Sequence, residues 1–228
     1  MMPEKAPPRQ LPLDLVHGEG RSRDDLVVTP ANEHAVALIE NWPDWPAPVV
    51  LLAGPSGSGK THLAEIWRDI SGAVAVSANH IAGEALAAAE QGPVLIDDAD
   101  APDLDEAGLF HLINAVKGAG GHLLLTARRF PAGWGVELAD LRSRLGAAAV
   151  VELYEPDDML LSGVIVKLFA DRQVTIEPRV VQFMVRRMER SLATARTVVE
   201  RLDGAALERK CRITRALAAE IISAVETG

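Results

Sequence analysis

The sequence predicts an α/β fold: a parallel sheet covered by helices, followed by a small all-helical unit. Three observations predict it. Short runs of continuous apolar residues alternate with helical patterns from about residue 49 to residue 153, as in a sheet buried on both faces. A glycine-rich segment, "GPSGSGKT" (54–61), joins the first of those runs to a helical pattern. From Pro156 onward the apolar spacing becomes helical almost without interruption.

Taken in order, residues 1–24 carry Pro3, Pro7, Pro8 and Pro12 among several charges and read as a tail. "DDLVVTPANEHAVALIENW" gives a short extended run and a helix that Asn32 starts, and "NWPDWPAP" is a proline-broken loop. "VVLLA" (49–53) is a buried strand and "KTHLAEIWRDI" a helix. "AVAVS", "PVLID", "HLLLTA" and "AAVVEL" are further strands. Between them lie the helical segments "NHIAGEALAAAEQ", "LDEAGLFHLINAVKGAGG" and "ELADLRSRLG". Beyond Pro156, "DMLLSGVIVKLFADRQ", "PRVVQFMVRRME", "LATARTVVERLDGAALERKC" and "TRALAAEIISAV" are helices, with only "VTIE" extended. The expected organisation is therefore a tail over 1–24, an α/β domain over 25–155 and a helical domain over 156–228.

With 228 residues the chain is large enough for a substantial core. Its single cysteine, Cys211, excludes an intramolecular disulfide and fits a reducing compartment. No apolar run approaches the roughly 20 residues needed to span a bilayer, and the first thirty residues lack a basic-then-apolar leader pattern. The expectation is a cytoplasmic protein with no membrane role. A net charge of −9 argues against nucleic-acid binding by the chain as a whole. The charge is uneven, however. Residues 179–215 hold ten Lys and Arg against four acidic residues, a net of +6. Two readings follow: a solvated basic face, or a surface that meets phosphates or an acidic partner.

"GPSGSGKT" matches G-x-x-x-x-G-K-T in the strand–loop–helix setting that a phosphate-binding loop requires. Gly54, Pro55, Ser56, Gly57, Ser58 and Gly59 would turn backbone N–H groups toward phosphates, helped by the helix amino end. Lys60 would reach the β- and γ-phosphates and the Thr61 hydroxyl would bind Mg²⁺. Some forty residues on, "PVLIDDAD" places Asp97 and Asp98 at a strand's carboxyl end, where ligands of such sheets bind. Asp97 would join the Mg²⁺ shell, and Asp98 would orient or deprotonate an attacking water. Asp100 and Asp103 read as turn and cap residues. Thr126, ending "HLLLTA", is either a partner for the γ-phosphate or water, or an ordinary strand residue. Arg128 and Arg129 after it read as surface or site.

These segments together resemble the AAA+ ATPase family, in its DnaA-like branch. "GPSGSGKTHL", including His62, resembles that branch's phosphate loop, and "VLIDDAD" its Walker B strand. "GLFHLINAVKGAGGHLLLTARRFP" is similar to its sensor helix and strand, and "LADLRSRLGAAAVVEL" to its arginine-finger box. The resemblance covers residues from about 25 to about 225. It implies a P-loop AAA+ domain followed by a helical lid, with ADP or ATP and Mg²⁺ as cofactors. It places Val27, Val28 and Asn32 beside the adenine. It makes Arg144 of "RSRL" the arginine finger, with Arg142 as the alternative, and Arg196 of "ATARTVVERLD" the lid's nucleotide sensor.

The initiators of this branch continue into a DNA-binding module, which we do not find before Gly228, and they carry longer amino-terminal domains. A core of this kind resembles the Hda type, the regulatory inactivators of DnaA. Those carry an amino-terminal sliding-clamp motif of the form Q-L-x-L-x-L, and "QLPLDL" (10–15) is similar to it. On composition alone Gln10, Leu11, Leu13 and Leu15 would equally suit an edge strand, although Pro12 removes a ladder donor. As a peptide hook, two or three buried leucines would yield roughly 4–9 kcal/mol gross, less about 2–5 kcal/mol for ordering the segment. The expected partners are the β subunit sliding clamp, DnaA, and DNA chiefly through the clamp. The expected function is stimulation of DnaA's ATP hydrolysis. The rivals are a self-assembling homo-oligomeric ATPase and a loader that binds DNA through its basic lid.

Overall fold

A computed structural model describes residues 26–81 and 83–227. Five strands, β1 Val49–Ala53, β2 Val74–Ala75, β3 Val94–Ile96, β4 Leu123–Ala127 and β5 Ala149–Glu152, form one sheet. All its pairs are parallel and its order is β2-β3-β4-β1-β5. The helices are α1 Glu33–Glu40, α2 Lys60–Ser71, α3 Gly83–Gln91, α4 Glu106–Ala119, α5 Ala139–Gly146, α6 Asp158–Asp171, α7 Pro178–Arg187, α8 Leu192–Arg209 and α9 Arg215–Glu226. The expected α/β sheet followed by helices is the observed architecture.

The continuous apolar strands have a direct physical reason. In β1, Val49, Leu51 and Ala53 enter one core with Leu109, Leu112 and Ile113 of α4. Val50 and Leu52 enter another with Ile39 of α1 and Trp67 of α2. Successive side chains of a strand point to opposite faces, so a sheet covered on both faces needs apolar residues at every position. The helices after residue 156 bury a third core, in which Phe169 of α6, Met184 of α7, Val198 of α8 and Ile222 of α9 take part. Replacing Phe169, which is fully buried, by Ala should cost about 3–5 kcal/mol. Denaturant unfolding of the variant measures it.

Two details differ from the sequence expectation. β2 contracts to two exposed residues, because it lies at the sheet edge and pairs only with β3. Helix α3 begins at Gly83 rather than Asn79, because the preceding loop is tied to the start of α4. Ala78 O accepts from Asp105 N–H, Ile81 N–H donates to Asp105 Oδ2, and Asn79 donates to Asp103. "VTIE" joins no sheet; its Val174 and Ile176 pack on the third core. No helix among the described residues is long and apolar enough to cross a membrane.

Candidate nucleotide-binding site

The parallel register brings the carboxyl ends of β1, β3 and β4 to one edge, with Ala53 beside Ala127 and Ile96 beside Leu125. The glycine loop starts there. Gly54 N–H continues the sheet by donating to Ala127 O at 3.1 Å. The loop then turns through Gly57 (φ 73°) and Gly59 (φ 100°), left-handed conformations that favour glycine, and α2 begins at Lys60. The Lys60 ammonium folds back on its own loop and donates to Gly54 O and Pro55 O, each at 2.8 Å. Lys60 is only 6 % exposed. Burial pushes its pKa down; the Asp98 and Asp97 carboxylates oppose that shift and the Arg128 charge adds to it.

Asp97 gathers the second half of the site. The Thr61 hydroxyl donates to Asp97 Oδ2 at 3.0 Å, and the Thr126 hydroxyl donates to Asp97 Oδ1. Thr126 Oγ1 also accepts from Asp98 N–H at 3.0 Å. A hydroxyl has one hydrogen to give, so in this conformation Thr126 serves the two aspartates and would have to rotate to reach a phosphate or water. Asp98 is left-handed (φ 52°) with an exposed side chain. Beside both aspartates opens a cleft of ≈ 320 Å³ lined also by Glu65, Ser77, Asn79 and Asp103.

The donor set fits a nucleoside polyphosphate with Mg²⁺. Lys60 is a buried cation whose only hydrogen-bond partners among the described residues are two loop carbonyls. Ser58 Oγ is buried in the same loop with no hydrogen-bond partner. Thr61 and Asp97 already face each other, whereas no group of three or more His, Cys, Asp or Glu able to hold a metal occurs among the described residues. That suits a cation which takes one carboxylate and completes its shell with phosphate oxygens and water. The bound metal would neutralise phosphate charge.

The other predicted residues fall as follows. Asn32 precedes α1 but caps nothing with its side chain. Its carboxamide instead accepts from Thr29 N–H at 2.8 Å and donates to Val27 O at 2.9 Å, which fixes the 27–32 turn. Val27 packs against α6, where a Cβ on Gly163 would lie 2.7 Å from Val27 Cγ1. Val28 is exposed, as are Pro55 and Ser56, and His62 is half-buried in the first turn of α2. Arg196 lies one turn into α8 and is half-buried. Arg144 is half-buried in the last turn of α5, and its guanidinium makes no hydrogen bond or ion pair among the described residues; Arg142 is exposed. Gln10, Leu11, Leu13 and Leu15 lie outside the described residues.

Two contacts escape sequence reasoning. Asp100 stands in the turn after β3, as expected, but its carboxylate also reaches across the sheet: it is buried, accepts from Arg128 N–H at 3.1 Å and pairs with Arg129 Nε at 3.2 Å. It thereby joins the loop after β3 to the loop after β4. The start of α8 rests on the glycine loop. Leu192 N–H donates to Gly57 O at 2.8 Å, and a Cβ on Gly57 would collide with Ser191 Oγ. Ser191, the capping residue of α8, accepts from Thr194 N–H. In the sequence, Asp100 is one acid among several, and Ser191 carries only a helix-cap signal.

Comparison with known proteins bears on the fold. No family model matches the chain. It is 29 % identical over 223 residues to the chromosomal replication initiator protein DnaA of Caulobacter vibrioides, covering 84 % of this chain and 46 % of that protein. The chain thus spans about half the length of that relative. An uncharacterized protein of Haemophilus influenzae is 27 % identical, over 78 % of this chain and 83 % of its own. Among solved structures, domain III of Thermotoga maritima DnaA superposes with a TM-score of 0.75 at 16 % identity, covering 90 % of this chain and 96 % of that one. The Thermotoga maritima RuvB Holliday junction branch migration motor gives 0.72 at 21 %, covering 90 % and 72 %. AMPPCP-bound DnaA from Aquifex aeolicus gives 0.68 at 18 %, covering 82 % and 67 %. The fold is that of AAA+ proteins, and the sequence is distantly DnaA-like.

Proposed function

We propose that this chain is a regulator of replication initiation. It binds ADP or ATP with Mg²⁺ at the glycine loop and docks on the β sliding clamp through Gln10, Leu11, Leu13 and Leu15. It then offers Arg144 to ATP-loaded DnaA, stimulating the initiator's hydrolysis, and meets DNA chiefly through the clamp. The observation that carries this reading is the half-buried Arg144 guanidinium, which has no partner among the described residues. A cation left without an anion at the end of α5 suits a residue whose anion arrives on another molecule. Such fingers raise hydrolysis about 10³–10⁵-fold. The DnaA-like sequence and the AMPPCP-bound neighbour support the nucleotide and the replication setting.

The division of labour follows from the chain's own groups. Lys60 and the loop amides hold phosphates, Thr61 and Asp97 hold the metal shell, Arg196 reports lid position, and Asp98 sits where a water is oriented. Reconstitution with clamp, primed DNA and ATP-loaded DnaA tests the reading. Arg144→Ala should abolish the stimulation, and Leu13→Ala with Leu15→Ala should abolish its dependence on the clamp. Unchanged DnaA turnover in both variants sinks the idea. Clamp-independent hydrolysis by the protein alone, lost with Arg144, would mark a self-assembling ATPase instead.

A second reading rests on the lid. Arg179, Arg186 and Arg187 of α7 are exposed and make no ion pair among the described residues. Direct DNA binding through them would weaken steeply with salt.

A further inference from the structure

One further cation stands at the phosphate side of the site. Arg128 directly follows Ala127, the residue whose carbonyl accepts Gly54 N–H, so its backbone lies beside the entry to the glycine loop. It is also two residues beyond Thr126, which binds Asp97. Its position is fixed by a buried carboxylate: Asp100, 8 % exposed, accepts Arg128 N–H through Oδ1. The charge of that carboxylate is met by a different residue, since Arg129 Nε donates to Oδ2 and Arg129 Nη2 reaches the Asp100 carbonyl at 3.4 Å. The Arg128 guanidinium is therefore left exposed, with no hydrogen bond or ion pair among the described residues.

We propose that Arg128 contacts the terminal phosphate of a nucleoside triphosphate bound at the glycine loop and sets the preference for triphosphate over diphosphate. The proposal rests on the phosphate-loop reading of residues 54–61. Its chemistry is that of a planar donor fork, which matches the oxygens of a phosphate group better than an ammonium does. Its location on the Thr126 side of the loop, next to Asp97 and the metal shell, selects the phosphate farthest along the chain rather than the first. Arg128 also bears electrostatically on Lys60, where its charge acts with burial against the ammonium. The Asp98 and Asp97 carboxylates bear on Lys60 more strongly than Arg128 does, but Arg128 itself has no ion-pair partner among the described residues, and a terminal phosphate would supply one. Asp100 acts through Arg128 as a positioning residue.

Equilibrium binding of Mg²⁺–AMPPCP and of ADP to the full chain tests the proposal, read by calorimetry for the parent, Arg128→Ala, Arg128→Lys and Lys60→Ala. Arg128 is exposed, so truncation removes no core contact. Arg128→Ala should weaken AMPPCP about tenfold and ADP by no more than about twofold, with Arg128→Lys in between, as expected for one charge-assisted contact. Equal losses for both nucleotides would show only general attraction of anions and overturn the assignment. So would unchanged binding of both by Arg128→Ala while Lys60→Ala loses both, an outcome that keeps the phosphate loop intact. A parent protein that binds neither nucleotide overturns the loop reading and this proposal together.

Discussion

Lys60→Met is expected to abolish the rise in melting temperature that ADP or ATP produces, while the nucleotide-free protein stays as stable as the parent or becomes more so. The two halves have separate causes. A ligand at about 100 times its Kd stabilises a protein by about 2.7 kcal/mol. For a chain of this size that is roughly 5–10 °C. Without the ammonium, the phosphates lose their principal cation and that shift should vanish. In the nucleotide-free protein, however, the same ammonium is 6 % exposed and, among the described residues, hydrogen-bonds only two carbonyls, with Asp98 and Asp97 acting on it electrostatically. Its pKa is lowered from 10.5 chiefly by desolvation. The charged form is therefore penalised in the folded state.

That penalty is fully present below the folded pKa. Between the folded pKa and 10.5 the unfolded chain holds the proton more often, so stability rises with pH across that window. Lys60→Met should flatten this rise. Thermal scans with and without nucleotide, repeated toward alkaline pH, check all three outcomes. A variant that keeps the full nucleotide shift would remove Lys60 from the site.

Gly57→Ala is expected to disturb loop and lid at once. An L side chain at φ 73° costs roughly 1–2 kcal/mol. The added methyl would also strike Ser191 Oγ at the cap of α8. Loop and helix are held together by the Leu192 N–H to Gly57 O bond, so they cannot both keep their places. The stability loss should be about 1–3 kcal/mol, with nucleotide affinity down at least about tenfold. Adding Ser191→Gly removes Oγ and Cβ but leaves the Cα of residue 191 at 3.0 Å from the new methyl, besides the backbone strain. The cap itself suffers little, because glycine caps cost only a few tenths of a kcal/mol. The double variant should thus recover part of the loss. No recovery would mean that φ and the remaining backbone contact are responsible; no loss in Gly57→Ala would mean that lid and loop do not stay in contact in solution.

How much of this was legible beforehand depends on the range of the interaction. The alternation of apolar runs with helical patterns sufficed for the sheet, because both faces of β1 and β4 are buried and each run is local. It misjudged β2, where an edge position rather than a local pattern sets the length. The placement of Lys60 and Thr61 was legible because the glycine loop is a contiguous motif whose turn follows from adjacent residues. Asp97 was legible because a strand end and the loop imply each other in this architecture. Asp100 was legible only as a turn residue: its partners, Arg128 and Arg129, stand beside it because β3 and β4 are neighbours.

Sequence alone therefore carried the fold class and the glycine loop with its lysine, since these depend on periodicity and on a run of eight residues, 54–61. It also carried the "QLPLDL" motif, whose reading as a clamp hook comes from the family resemblance and belongs to the proposed function. The tertiary structure decided what those groups touch. It placed both Thr61 and Thr126 on Asp97, gave Asp100 to the Arg128 amide, and set Ser191 of the last helical core against Gly57 of the first loop. Such pairings join segments far apart in the chain. Strand order and helix packing create them, and residue spacing does not encode either.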